Sequence, residues 1–364
     1  MTSGIHHVTA ISGRIDRTVD FYRRVLGLRL VKRTVNYDDP ATYHLYFGDM
    51  VGRPGTILTF FPWPDGARGL IGRGQAAVTA LLIPEGSLSF WVARLIGAGI
   101  RYEGPVRRFG EQVLSFADPD GMRLELIATA TAEQLPGWDG GDVPAEHAVR
   151  GLHGVTLWVD GDPGTREVLV SGVGLRVQAE EEGRLRLAGD APVGSIVDLR
   201  QIGGFWRGAG GVGTVHHVAF RAQDHSAQER LGRRLTDAGL RVTPVQDRQY
   251  FRSIYFREPG GVLFEIATDG PGFATDETAA DLGRRLALPS WLEPDRAVIE
   301  AGLAAFPSDP TESEAMAEYR PACDNCTPFK TSVGVVAPRI FVPSNCHCRD
   351  TGKKFVTTIE KKTP

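Results

Sequence analysis

Asp118-Pro-Asp-Gly-Met-Arg-Leu-Glu-Leu-Ile-Ala-Thr129 returns in altered form as Arg257-Glu-Pro-Gly-Gly-Val-Leu-Phe-Glu-Ile-Ala-Thr268. Each stretch is a turn signal followed by an apolar, strand-like run that carries one glutamate. Glu125 falls on Glu265, an offset of 140 residues, and the same offset puts Ala98-Gly99 on Ala238-Gly239 and Val78 on Val218. Residues 75–129 are thereby related to 215–269. A second offset, 147, places His7-Val8-Thr9 on Gly154-Val155-Thr156 and Gly27-Leu28-Arg29-Leu30 on Gly174-Leu175-Arg176-Val177. The chain is therefore read as four copies of one unit, at about 4–63, 74–130, 150–202 and 213–270.

Each unit has the same internal order. A β-rich stretch such as His6-His7-Val8-Thr9-Ala10-Ile11 opens it. A helical stretch follows, as in Arg17 to Leu26, with Val19, Tyr22 and Leu26 at helical spacing. Gly27 stands where a helix C-terminus favours glycine. Further strands come after, such as Val113-Leu114-Ser115-Phe116, bounded by turns such as Asp118-Pro119-Asp120-Gly121. The pattern is β, α, then several β, an α+β class.

The bulk properties set limits. The 364 residues carry a formal net charge of -3, with 42% hydrophobic and 23% charged residues. That balance lacks the basic excess of a nucleic-acid binder. No run approaches the roughly 18 apolar residues that span a bilayer. Met1 to His7 lacks a signal-peptide pattern, so a cytoplasmic location is the expectation. All four cysteines lie between Cys323 and Cys348, leaving the main body without a disulfide framework.

Equivalent positions of the four units carry the chemistry. The first-strand position holds His7, Ala77, Gly154 and His217, while the last-strand glutamates are Glu125 and Glu265. Alanine and glycine cannot ligate a metal. If the first and fourth units pair, His7, His217 and Glu265 meet in one site, and the second and third units form a vacated copy that keeps Glu125. Two histidines and one carboxylate make a facial triad with open positions, which suits non-haem Fe(II) chemistry with O2. Zinc, without redox chemistry, does not. The bland readings stand beside these. A strand histidine is ordinarily structural or solvated, and Glu125 reads as half of a structural salt bridge. A glutamate flanked by Leu263, Phe264 and Ile266 needs a buried partner.

Gly4-Ile-His-His-Val-Thr-Ala10, Thr214-Val-His-His-Val-Ala-Phe-Arg221 and Asp247 through Phe273 together resemble the vicinal oxygen chelate (glyoxalase/bleomycin resistance/dioxygenase) superfamily. The resemblance covers about 4–305 and is nearest to ring-cleaving dioxygenases of the chlorinated-hydroquinone 1,2-dioxygenase group. It implies four βαβββ modules in two paired half-barrels, with a helical C-terminal extension. It assigns the metal to His7, His217 and Glu265, with Fe(II), or alternatively Mn(II), as the ion. It also implies catalytic roles for Thr9, His216, Arg248 and Tyr255. His216 or Tyr255 would accept or relay a diol proton, and Arg248 would stabilise negative charge on a bound phenolate. Without the resemblance, Tyr255 reads equally as a core aromatic and Arg248 as a surface charge. His216 faces a specific difficulty. Neighbouring strand residues point to opposite faces, so a bulge or the strand's twisted start is needed to bring it to the site of His217.

The expected organisation is an N-terminal domain at 1–135 with modules 1 and 2, a linker at 136–149, and a C-terminal domain at 150–275 with modules 3 and 4. A helical extension at 276–310 and an atypical tail at 311–364 complete it. The expected partners are a small aromatic diol and O2, with no nucleic acid and no membrane; a homo-oligomer is implied by the resemblance. Two other functions remain open. A glyoxalase or thiol transferase of the same fold would ordinarily take a fourth ligand from the first unit's last strand, but Ile57-Leu58-Thr59-Phe60-Phe61 offers no His, Glu or Gln. A drug- or aromatic-binding protein would lack the metal ligands. In the tail, Cys323, Cys326, Cys346 and Cys348 form a CxxC and a CxC. These read as a poorly ordered extension, with a zinc site as the alternative.

Overall fold

The computed structural model describes residues 2–161 and 163–307. Each of the four units contributes four strands to it. The first has β1 (Ile5–Ser12), β2 (Arg29–Asn36), β3 (Asp39–Gly48) and β4 (Ile57–Pro62). The second has β5 (Gln75–Pro84), β6 (Tyr102–Arg108), β7 (Glu111–Ala117) and β8 (Arg123–Thr129). The third has β9 (Gly151–Val159), β10 (Arg176–Glu181), β11 (Arg184–Ala188) and β12 (Ile196–Gln201). The fourth has β13 (Thr214–Ala222), β14 (Gln246–Asp247), β15 (Phe251–Arg257) and β16 (Leu263–Pro271). A helix follows the first strand of every unit: α1 (Ile15–Asp20), α2 (Leu88–Gly97), α3 (Pro163–Glu167) and α4 (His225–Asp237). Helices α1 and α3 each run on into a π-helical turn, and in the first unit Gly27 closes the segment at φ +67°.

The strands form two eight-stranded sheets, ordered β14-β15-β16-β13-β1-β4-β3-β2 and β10-β11-β12-β9-β5-β8-β7-β6. Units one and four share the first sheet, and units two and three share the second. In each sheet the joint is an antiparallel pair of first strands, β1 with β13 and β5 with β9. These are the two paired half-barrels of βαβββ modules that the family resemblance implies.

Strand alternation sorts side chains between two faces. On β16, Phe264 and Ile266 enter the main hydrophobic core, while Glu265 and Ala267 face the other way. On β13, Val218 and Phe220 enter the core, leaving His217 and Ala219 on the concave face. The helices cover the convex backs. Tyr22 stacks 4.3 Å from Phe60, and its hydroxyl donates to Asp118 of the second unit at 2.9 Å.

The chain beyond β16 covers the free edge of the first sheet. Lys32 on β2 is fully buried between Asp276 and Glu277, and Leu286 bridges to Arg33. Trp291 packs edge-on against Tyr37. An edge strand protected in this way is not a template for aggregation. The α-helix of this extension is α5 (Arg296–Gly302), preceded by a 3-10 turn at Glu293–Asp295; the other described residues of the extension are turns and irregular chain with one bridge at Leu286. Among the described residues, no helix is long and apolar enough to cross a membrane. The tail cysteines lie outside the described residues.

Candidate metal centre

His7, His217 and Glu265 come together on the concave face of the first sheet, with one donor atom from each lying within 4.8 Å of the others. All three are buried, Glu265 completely. The two Nε2 atoms stand 3.3 Å apart. Glu265 Oε2 lies 2.9 Å from His217 Nε2 and 3.4 Å from His7 Nε2, yet makes no well-directed hydrogen bond with either. Its other oxygen, Oε1, accepts from Ser253 Oγ. Burial opposes ionisation of Glu265, but His7 and His217 outweigh it and hold the carboxyl well below its usual range. An ionised, dry carboxylate oxygen aimed at two imidazole nitrogens, with no directed partner, fits a divalent cation.

The bulge considered for His216 is present, and a second one lies at His6. Across β1 and β13, Ile5 pairs with Phe220 and His7 with Ala219, so His6 is skipped; Thr9 pairs with His217 and Ala10 with Val215, so His216 is skipped. Each skipped residue is the first of a His-His pair. A bulge adds one residue to a strand and re-aims the side chains beside it. The outcome is symmetric: His6 Nδ1 lies 2.9 Å from His7 Nδ1, and His216 Nδ1 lies 2.7 Å from His217 Nδ1. Each backing histidine thus takes the Nδ1 side and leaves Nε2 for the cluster, the usual way a metal-binding imidazole is oriented. Burial, then the neighbouring His217, pushes His216 down to about 3, and burial holds His6 well below the ordinary histidine value. Both are neutral. Sequence reading singled out His216 and missed His6, although the doubled His-His motif marked both.

The cluster lies at the wall of a cavity of about 460 Å³. Phe61, Trp63 and Phe251 give it aromatic walls, and His216 also borders a second cavity of about 240 Å³. Tyr255 and Arg248 also line the main cavity. Burial, then Glu265, raises Tyr255 above the usual phenol value, so it remains protonated. Arg248 Nε points to the Tyr255 hydroxyl at 3.3 Å, and Nη2 pairs with Asp38 at 2.9 Å. Thr9 is fully buried on the same face. It accepts from Thr59 at 2.9 Å, and Thr59 in turn meets His44 Nε2 at 2.9 Å. The chain ends at the Tyr46 hydroxyl, 2.8 Å from His44 Nδ1. His44 and Tyr46 were not foreseen, because β3 carries no repeat signal at those positions. Their spacing of two along a strand is the signal that could have found them.

A family model described as Glyoxalase/Bleomycin resistance protein/Dioxygenase superfamily matches residues 4–126 and 155–266. The chain belongs to that superfamily. Among its superfamily relatives is MhqO of Bacillus subtilis (strain 168), provisionally named a ring-cleaving dioxygenase. It is 46% identical over 305 residues, covering 84% of this chain and 97% of that one. The chlorohydroquinone/hydroquinone 1,2-dioxygenase of Sphingobium indicum is 36% identical over 301 residues, covering 80% and 92%. A crystal structure of a provisionally named dioxygenase from Bacillus subtilis superposes with a TM-score of 0.80 at 45% identity, covering 84% of this chain and 98% of that chain. Maize glyoxalase I, at 16% identity and a TM-score of 0.54, shares the superfamily fold. Within the superfamily this chain stands with the ring-cleaving dioxygenases.

The second half-barrel shows what the same positions do without histidines. Glu125, the counterpart of Glu265, accepts both guanidinium nitrogens of Arg108 at 2.7 and 2.9 Å. It is the structural salt bridge that sequence reading expected. Beside it, Arg186 pairs with Asp198 and Glu111, and Arg184 donates to Thr156. Burial opposes ionisation of Glu111, but His153 and Arg186 hold its carboxyl down to about 2.

Proposed function

We propose that this chain is an Fe(II)-dependent dioxygenase that opens the ring of an aromatic diol, a hydroquinone in preference to a catechol, with both atoms of O2 entering the product. The observation that carries the reading is the His7–His217–Glu265 cluster facing an aromatic-walled cavity from one side, which leaves the other side for ligands. His7, His217 and Glu265 would hold the ion. Iron(II) held by these residues would supply the redox chemistry toward O2 that a zinc ion lacks. Mn(II) would fit the same donors.

The protein's own groups have separable tasks. Phe61, Trp63 and Phe251 supply flat apolar surface for the ring and exclude water from it. Arg248 remains a cation although burial opposes it, since Tyr255 and Asp38 hold it charged. It can therefore bind the oxygen that a hydroquinone carries away from the metal, or negative charge that develops there. With a metal on its Nε2, His217 would donate from Nδ1 to His216, and the neutral His216 would then present an N–H at Nε2. His216 would thus serve as a hydrogen-bond donor into the cavity rather than as a base. Tyr255, protonated, is a second donor. Thr9 is held by Thr59 and His44 so that its hydroxyl keeps one orientation. Thr59→Val removes that link while keeping a side chain of similar shape. It is expected to lower kcat/KM about tenfold, the worth of one hydrogen bond, with Fe(II) content unchanged.

The glyoxalase reading is disfavoured by the absence of a fourth ligand on β4, whose concave side presents Ile57 and Thr59. The deciding experiment is O2 uptake by protein loaded with Fe(II) under anaerobic conditions, then given hydroquinone, methylhydroquinone, chlorohydroquinones or catechol. One O2 consumed per ring-opened product, fastest with a hydroquinone, is the expected result. No uptake across the panel by iron-replete protein would overturn the proposal.

A further inference from the structure

Resting on the metal reading above, we propose that Tyr255 is what keeps the first half-barrel open to a metal. Its ring holds Arg248 off Glu265, and without it Arg248 closes onto Glu265 as Arg108 closes onto Glu125. Tyr255 is on this view a positioning residue, distinct from any part it plays as a donor.

The two half-barrels serve as each other's control. The offset of 140 maps Arg108 onto Arg248, Ser115 onto Tyr255 and Glu125 onto Glu265. The backbone follows the sequence. Ser115 pairs across the sheet with Glu125, and Tyr255 pairs with Glu265. The residue after each arginine has positive φ, +50° at Phe109 and +64° at Gln249. Both arginines therefore leave a similar turn at a similar place.

The arginines nevertheless end in different places. Arg108 reaches past Ser115 and takes both oxygens of Glu125. Arg248 stops at Tyr255, with its guanidinium carbon 5.5 Å from the ring centroid, and turns to Asp38 and Gln246. Among the described residues no arginine pairs with Glu265. Directly paired side chains on a sheet stand with Cβ atoms about 5 Å apart, so residue 255 lies over the carboxylate. A serine leaves that approach free, and a buried tyrosine fills it. A guanidinium bound to both carboxylate oxygens and a metal bound to one of them compete for the same lone pairs. The larger side chain at 255 thus selects the cation at Glu265.

The test is anaerobic titration with Fe(II) of four proteins: wild type, Tyr255→Phe, Tyr255→Ser, and Tyr255→Ser combined with Arg248→Ala. Tyr255→Phe keeps the ring and is expected to bind like wild type. Tyr255→Ser is expected to bind about 10- to 100-fold more weakly, the range for losing groups that support a metal site. Removing Arg248 in that background is expected to restore affinity to near the wild-type value. A loss of packing alone would not be rescued by a second truncation. Should serine destabilise the fold, Tyr255→Thr carries the same expectation. Wild-type affinity in Tyr255→Ser, or a double variant no better than the single, overturns the inference and leaves the metal reading intact. Failure of the wild type to bind Fe(II) overturns both.

Discussion

His217→Ala is expected to abolish O2 uptake and to weaken Fe(II) binding by more than about 100-fold, beyond what loss of an outer supporting group costs. The ligand cannot be replaced from nearby. His44 has both ring nitrogens engaged, by Thr59 and by Tyr46. His216 would lose the imidazole it backs. His7 and Glu265 would remain 3.4 Å apart, a pair where the chemistry needs three donors. The fold should survive, because His217 lies on the concave face rather than in the main core, which is built from Val218, Phe220 and their neighbours. The measurement is therefore twofold: Fe(II) content with O2 uptake, and a thermal melt. An unchanged melt with lost iron and lost uptake is the expected pair. Uptake that persists in iron-replete His217→Ala protein would remove His217 from the ligand set.

The ligands were legible in the sequence because they sit at repeat-equivalent positions. Four copies of one unit allow His7 and His217 to be compared with Ala77 and Gly154, and Glu265 with Glu125, before any coordinate is known. The pairing of units one and four was legible for the same reason. His216 was harder to place. Period-two alternation sends it to the wrong face, and only the bulge opposite Thr9 and Ala10 corrects this. A bulge is a property of two strands about 210 residues apart, so local pattern does not reveal it. His6, its counterpart, was hidden for the same reason. His44 and Tyr46 were illegible because β3 adds no repeated motif, and their importance comes from lying beside Thr59 across the sheet. In the extension, leucine signalled burial correctly at Leu282, Leu286 and Leu288, whereas of the described alanines only Ala287 is buried. However, Pro289, Pro294 and Gly283 confine the helix to Arg296–Gly302.

Arg108→Ala is expected to lower the stability of the protein by about 3 kcal/mol, the lower end of the cost of breaking a buried ion pair. At about 2.1 cal/mol/K of unfolding entropy per residue over roughly 300 residues, that corresponds to a melting temperature lower by about 5 °C. Glu125 is 5% exposed and, with Arg108 gone, keeps only Ser115 as a hydrogen-bond donor, at 3.3 Å. The lower end applies because Arg184 remains close enough to feel the carboxylate. Arg108, Arg184 and Arg186 face Glu125, Glu111 and Asp198, with His153 beside Glu111. Removing Arg108 leaves an uncompensated anion in a buried place, whereas removing both partners does not. Arg108→Met combined with Glu125→Leu is accordingly expected to recover most of the loss, since a buried pair replaced by apolar groups of similar size is often neutral or better. Fe(II) binding at the first half-barrel should be the same in all three proteins, because Glu125 and Glu265 belong to different sheets. A single variant as stable as wild type would show that the Arg108–Glu125 pair contributes nothing to the fold. A double variant no better than the single would show that packing, and not the unpaired charge, sets the cost.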